Sequence, residues 1–217
     1  MGIAERKEKQ KVEIRKMILD ASMQLFVEEG FENVTIRKIA DLIEYSPTTV
    51  YLYFKDKNEI FFHLHELGFL KMAEANQGLL GIENPLIRLH KMGENYINFG
   101  LDNPEFYDVM FIQRAPMQVL EKMENGDWKH GENALNILKA NIAECMEKGL
   151  IKKGNVDAVS MGIWGMVHGL VSLSIRERFH KLCPEDRSEY TNTEIRQMMH
   201  DSLNWLINSI DQSGKGR

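Results

Sequence analysis

Cysteine occurs only twice in 217 residues, at Cys145 and Cys183. The two stand far apart and neither sits in a CxxC or Cys/His spacing, which excludes a disulfide-stapled scaffold and a zinc module of the usual kind and points to a reduced cytosol. Proline is scarce too, at five, and that favours helices. Positive charge is not in excess: 27 Lys and Arg against 32 Asp and Glu leave a net −5, so a wholly basic nucleic-acid-binding surface is excluded and any contact with DNA must use a local face. The longest apolar stretch, 161–175, falls short of the roughly 20 residues of a bilayer span and carries His168 in its middle. It is read as a buried helix, so no membrane partner is expected. The charged first twelve residues lack the apolar core of a secretory signal, and the expected location is cytoplasmic.

Catalytic signatures are also missing. There is no H-E-x-x-H, no glycine-rich phosphate loop and no G-x-S-x-G elbow, and Cys145 has no activating histidine close in sequence. His63 and His65 are two apart, so on a helix they point to different faces and do not share a metal. No enzyme, cofactor or metal is expected.

What is present is ordinary globular composition, 43% apolar and 27% charged, with apolar residues recurring at helical spacing. Ile14, Met17, Ile18, Ala21, Leu25 and Phe26 form one stripe that Gly30 ends. Thr35 reads as the N-cap of a short helix with Ile36, Ile39, Ala40 and Ile43 inward, and Glu44-Tyr45 as a tight turn. Ser46-Pro47 then opens a third helix running through Tyr53, and Asp56-Lys57-Asn58-Glu59 reads as a capping box opening a longer fourth one. Further helix starts fall at Asn84-Pro85, Asn103-Pro104, Asn155, Cys183-Pro184 and Thr191, with a loop at 126–131 and a frayed tail from Ser213. The expected fold is all-α.

Two short helices around a tight turn have the dimensions of a helix-turn-helix. The second would present Pro47, Thr48 and Thr49 to base edges, since threonine offers both a hydroxyl and a methyl. Tyr51, Tyr53, Lys55 and Lys57 follow where phosphates would lie. A second basic group, Arg6, Lys7, Lys9, Lys11, Arg15 and Lys16, is interleaved with Glu5, Glu8 and Glu13, and reads equally as a solvated helix face.

The stretch Thr35-Ile-Arg-Lys-Ile-Ala, followed by Tyr45-Ser-Pro-Thr-Thr-Val-Tyr-Leu-Tyr-Phe-Lys-Asp-Lys-Asn-Glu-Ile-Phe61, resembles the DNA-binding signature of the tetracycline-repressor family. Where that family often has glycine in the turn, this sequence has Glu44. The resemblance implies a three-helix DNA-binding domain, 1–58, and an all-helical effector-binding and dimerisation domain, 59–217. It implies phosphate anchors at Thr35, Thr49, Tyr51 and Lys57, and base-reading or groove-lining positions at Arg37, Pro47 and Thr48, with Ser46, Tyr53 and Lys55 completing the DNA-binding set. Double-stranded operator DNA, a homodimeric partner and a small apolar effector are the partners it implies, with the effector releasing a repressor from a palindromic operator. A helical carrier or enzyme that keeps the fold without specific DNA binding is the alternative.

In the C-terminal part, Trp164-Gly-Met-Val-His168-Gly169 resembles the Trp-His-Gly signature of one subclass of that family's C-terminal domains. Gly162, Gly165 and Gly169 are spaced for close backbone approach, and the last amphipathic segment adds Met199, Leu203, Leu206 and Ile210. These are the expected dimerisation residues, the other reading being packing within one chain. Phe99, Phe106, Tyr107, Met110, Phe111, Trp128, Trp164, Met166 and His168 are the candidate effector-pocket residues, and an aromatic and methionine stripe of this kind also reads as ordinary core.

Overall fold

A computed structural model describes residues 2–113, 129–182 and 189–214. Helix α1 spans Ile3–Glu29, α2 Ile36–Leu42, α3 Pro47–Tyr51, α4 Lys57–Ala75, α5 Pro85–Asp102 and α6 Pro104–Tyr107, which runs on into a π-helical turn at Asp108–Ile112. Then come α7 at Lys129–Glu147, α8 at Val156–Ile175 and α9 at Asn192–Ile210. Among the described residues there is no strand, only an isolated bridge between Ile151 and Asp211. The all-α expectation holds.

The caps that define these helices are local side-chain chemistry. Thr35 Oγ1 accepts from the Lys38 amide, Ser46 Oγ from that of Thr49, Asn84 Oδ1 from Leu86 and Ile87, and Asn155 Oδ1 from Ala158. Each satisfies a first-turn N–H that the helix itself leaves unpaired. Thr191 and Glu194 form a reciprocal capping box. At α4 the box is shifted by one residue: Asp56 accepts from the Glu59 amide, but Glu59 reaches back to the amide of Lys55. Two boundaries differ from the sequence reading: α3 ends at Tyr51, and residues 129–131, read as loop, open α7. A single glycine such as Gly131 costs a helix only about 1 kcal/mol, which a 19-residue helix absorbs. The expected helix start at Cys183-Pro184, Trp128 and residues 215–217 lie outside the described residues.

The chain divides into two compact units, Met1–Gly68 with Glu105–Trp128, and Phe69–Pro104 with Lys129–Arg217. In the first, Ile18, Phe26, Val34, Ile39, Ala40, Val50, Ile60 and Phe61 are fully buried in one cluster. Phe26, Phe31 and Phe61 form a ring triangle with centroids 4.8–5.4 Å apart, the tilted and edge-on spacing that aromatic quadrupoles prefer. Val109 from the π-helical turn joins this core, and Gln113 Nε2 donates to the Phe26 carbonyl at the end of α1. Gly68 on α4 gives room for Met110, since a Cβ there would stand 2.3 Å from its sulfur.

In the second unit α5 packs against α7, α8 and α9. Leu86, Leu89, Gly93, Ile97 and Phe99 are buried on α5, as are Ile142, Cys145 and Met146 of α7, Ile163, Val167 and Val171 of α8, and Ile195, Met199, Leu203 and Ile207 of α9. Arg88 ties α5 to Glu144 and Asn141 of α7, and Arg196 ties α9 to Asn98 and Asp102 of α5. The apolar stretch 161–175 belongs to a helix that starts five residues earlier, at Val156. At 20 residues with a mean hydropathy of 1.5 over its most apolar window, α8 is long and apolar enough to cross a membrane, a correction to the length argument made from the sequence. Ser160, Ile163, Val167, Val171 and Ser174 are its buried positions.

Candidate nucleic-acid interface

The turn between α2 and α3 is built by Glu44, whose φ of 58° is left-handed. The glycine-less turn keeps the glycine-type geometry, at a cost of roughly 1–2 kcal/mol. Tyr45 N donates to Ala40 O across it, at 3.0 Å. Ser46 then caps α3, its hydroxyl also 2.9 Å from that of Thr49, and Pro47 occupies the first helical position. Val50 and Phe54 point into the core at 0% and 1% exposure, and this fixes which side of α3 faces outward.

On that outward side Thr48 is exposed, as are Tyr51, Lys55 and, on α2, Arg37. Pro47 and Thr49 are half-buried, and Tyr53 is packed against the core cluster. The Thr35 and Ser46 hydroxyls are engaged as caps, so they fix the helices before they meet any phosphate.

Lys57 does something other than the sequence suggested. Its ammonium donates to the carbonyls of Phe31, Glu32 and Val34 at 2.8, 3.3 and 3.1 Å, and lies 4.4 Å from the centre of the Phe31 ring. An ammonium has three donors, and all three are used inside the chain. Lys57, expected as a phosphate anchor, clasps the turn before α2. Lys38 is likewise occupied, by Glu29 and the Asn33 carbonyl. Among the described residues from α2 to the start of α4, the outward cations are therefore Arg37 and Lys55. Two exposed residues were passed over, Leu52 at 77% and Tyr45 at 37%. With Val50 and Phe54 inward, helical spacing alone puts Leu52 outside.

The candidate effector residues divide between the units. Phe106, Tyr107, Met110 and Phe111 belong to the first, where Tyr107 and Met110 are buried and the Tyr107 and Phe111 rings lie 4.9 Å apart. Phe99, Trp164, Met166 and His168 belong to the second. There the Trp164 indole N–H donates to the Tyr96 hydroxyl at 3.1 Å, and that hydroxyl is 3.4 Å from His168 Nδ1. Burial lowers the His168 pKa. Tyr96, which joins the two residues of the Trp-His-Gly signature, was missed because its partners are 68 and 72 residues away. A separate apolar cleft of about 250 Å³, lined by Leu170, Phe179, Leu182, Tyr190, Ile195, Met198, Met199 and Ser202, includes none of the expected effector residues.

Of the expected dimerisation residues, Gly165 is exposed and Gly169, Leu206 and Ile210 are half-buried. Met199 and Leu203 are at 1% and 0%, buried within the chain itself. A Cβ on Gly93 would meet Leu203 at 2.8 Å, so this side chain is already engaged within its own chain. The outward apolar residues of α8 and α9 are instead Met161, Leu173, Met198 and Trp205.

Residues 18–64 match the sequence profile of bacterial regulatory proteins of the tetR family, and residues 89–198, half of the chain, match that of a tetracyclin repressor-like C-terminal domain. The chain belongs to the tetracycline-repressor family. It is a helical DNA-binding regulatory protein of the TetR type, and the Trp164 to Gly169 stretch falls inside the second match.

Among curated TetR-type relatives, the HTH-type transcriptional repressor Rv1474c of Mycobacterium tuberculosis (strain ATCC 25618 / H37Rv) is 29% identical over 75 residues, 34% of this chain and 40% of that one. The HTH-type transcriptional regulator AcrR of Shigella flexneri is 34% identical over 79 residues, 36% of this chain and 34% of that one. The matched stretch thus spans less than two thirds of either relative. Solved structures share the fold over nearly the whole chain. The ketosteroid transcriptional regulator KstR2 of Mycobacterium tuberculosis has a TM-score of 0.70 at 18% identity, covering 92% of this chain and 95% of that one. The regulator FadR of Bacillus subtilis, in complex with stearoyl-CoA, has 0.69 at 18%, covering 90% and 98%.

Proposed function

We propose that this protein is a ligand-responsive repressor that binds a palindromic operator as a homodimer and is released by a small apolar effector. The observation that carries the DNA-reading part is the exposure of Thr48 on the first turn of α3, with the turn behind it held by Ser46 and Glu44. Thr48 and Arg37 read base edges, with Leu52 available to a thymine methyl, while Tyr51 and Lys55 meet phosphates. Thr49 and Tyr53 support α3 from its half-buried side. The DNA-binding domain is residues 1–58 and the effector and dimerisation domain 59–217, with α4 carrying the chain from one to the other.

Dimerisation uses the outward side of α8 and α9. No neighbouring atom lies within 4 Å of where a Cβ on Gly162, Gly165 or Gly169 would stand, which leaves room for a second backbone, and Met161 and Leu173 on α8 with Met198 and Trp205 on α9 are exposed apolar side chains. Two copies bring two reading heads to successive major grooves about 34–36 Å apart. The ketosteroid name of KstR2 and the stearoyl-CoA held by FadR support an apolar effector. Tyr96, Trp164 and His168 supply polar groups for orienting it, beside Phe99 and Met166. Its leverage equals its differential affinity for the DNA-competent and DNA-incompetent states.

A competition titration tests this reading. Operator affinity that survives near-physiological salt and excess non-specific DNA supports it, because purely electrostatic binding does not survive those conditions. Loss of all binding there, from folded protein, moves the function to the carrier alternative.

A further inference from the structure

Along α1 every residue from Ala4 to Glu13 is exposed. Core packing therefore gives no reason for the helix to run out this far. Its charges are not arranged evenly around it. Lys9 pairs with Glu13 at 3.8 Å and Lys16 with Asp20 at 2.6 Å, neutralising one side. Lys7, Lys11 and Arg15 are spaced four apart and so form a single row, in which Glu8, three residues before Lys11, is the one acid at helical-neighbour spacing. Like charges at i, i+4 destabilise an isolated helix by a few tenths of a kcal/mol per pair, and a polyanion laid along the row removes that penalty.

The inner end of the row is fixed. The Arg15 guanidinium lies 4.7 Å from the centre of the Phe54 ring, and Phe54 follows α3 after only Leu52 and Tyr53. The row thus starts beside the end of the reading helix. From there it extends about 12 Å along α1, comparable to the rise of three to four base pairs along the DNA axis. In a chain of net charge −5, such a row is a local exception.

We propose that Lys7, Lys11 and Arg15 form an accessory phosphate-binding row that tracks the DNA backbone flanking each operator half-site. This rests on the DNA-reading assignment above and adds a contact outside the helix-turn-helix. Phosphates supply the charge complement, and no base is read.

The test uses full-length protein and two duplexes, the selected operator alone and the operator extended by about ten base pairs, one helical turn, on each side. The Lys7→Gln/Lys11→Gln variant keeps good helix formers at exposed positions, and its circular dichroism is checked against wild type. Wild type is expected to bind the extended duplex more tightly than the short one. On the extended duplex the double variant is expected to lower the slope of log K against log salt by about 1.8 per protomer, at about 0.9 for each phosphate left without its lysine. On the short duplex the two proteins bind alike. Equal slopes and affinities on the extended duplex overturn the row while leaving the reading helix intact. Equal losses on both duplexes also overturn it, since the lysines then act within the half-site. Tight binding of wild type to anionic vesicles, abolished in the variant while DNA binding is unchanged, assigns the row to a lipid surface instead. A wild-type protein that selects no operator overturns the DNA-reading assignment itself.

Discussion

The Lys57 ammonium donates to the Phe31 carbonyl at 2.8 Å while sitting 4.4 Å from the centre of the same residue's ring. One cation therefore holds both halves of Phe31, and through Glu32 and Val34 it closes the turn that leads into the Thr35 cap of α2. Lys57→Met is expected to cost on the order of 2 kcal/mol of stability, as charge-assisted hydrogen bonds to carbonyls disappear. It is also expected to leave the salt slope of DNA binding unchanged. Urea unfolding and a salt titration check the two halves separately, and a slope reduced by about one returns Lys57 to the phosphate.

The reading helix separates two kinds of residue. Thr48 is exposed, so Thr48→Ala is expected to leave the melting temperature alone and to relax preference at one operator position by about 1–3 kcal/mol. Ser46 is a cap, so Ser46→Ala is expected to cost about 1 kcal/mol of stability and to weaken binding to every sequence alike. Melting curves and binding to single-substituted operators distinguish them.

Caps were the legible part of this fold. Thr35, Ser46-Pro47, Asn84, Asn155 and Thr191 each act within three residues, so the sequence shows them directly. What depends on distant partners was not legible. Lys57 finds carbonyls 23 to 26 residues away, and Tyr96 finds Trp164 68 residues away. Val109 enters a core formed mostly by the first 64 residues. The stripe containing Met199 and Leu203 has the same period whether it packs within a chain or between chains, and only the contact with Gly93 places Leu203 inside. The outer turns of α1 carry charge but no apolar periodicity, so they were readable as a solvated helix face while nothing in the pattern marked where the helix begins.

That inward placement of Leu203 is testable. Gly93→Ala is expected to destabilise the protomer by about 1–3 kcal/mol through overpacking, and Gly93→Ala/Leu203→Ala is expected to recover part of the Gly93 cost in a double-mutant cycle. Additive effects by chemical denaturation would separate the two residues.

The outward side of α9 gives a different expectation. Trp205 is 72% exposed, so Trp205→Glu leaves the protomer folded but sets a charge in the proposed subunit contact. Sedimentation is expected to shift from dimer to monomer, and operator affinity to fall with it. A variant that remains dimeric places the interface elsewhere.

His65 sets a pH dependence. It is 2% exposed, and burial pushes its pKa down from 6.5 to about 4, against a smaller upward pull from a hydrogen bond with the Met110 backbone. The unfolded chain takes up this proton first, so the stability is complete above pH 6.5 and is lost as pH falls toward 4. Between pH 7 and 5 the loss is about 2 kcal/mol. Urea midpoints of wild type and His65→Gln across that interval are expected to show a shallower slope in the variant, and parallel slopes would assign the pH dependence to other groups.

The most direct measurement for the central claim is selection of binding sites from random duplex DNA by the purified full-length protein at near-physiological salt. The account predicts an enriched palindrome whose half-sites are centred about one helical turn, or a multiple of it, apart. Folded protein that enriches no sequence, or only a single unrepeated half-site, contradicts a dimeric operator-reading repressor.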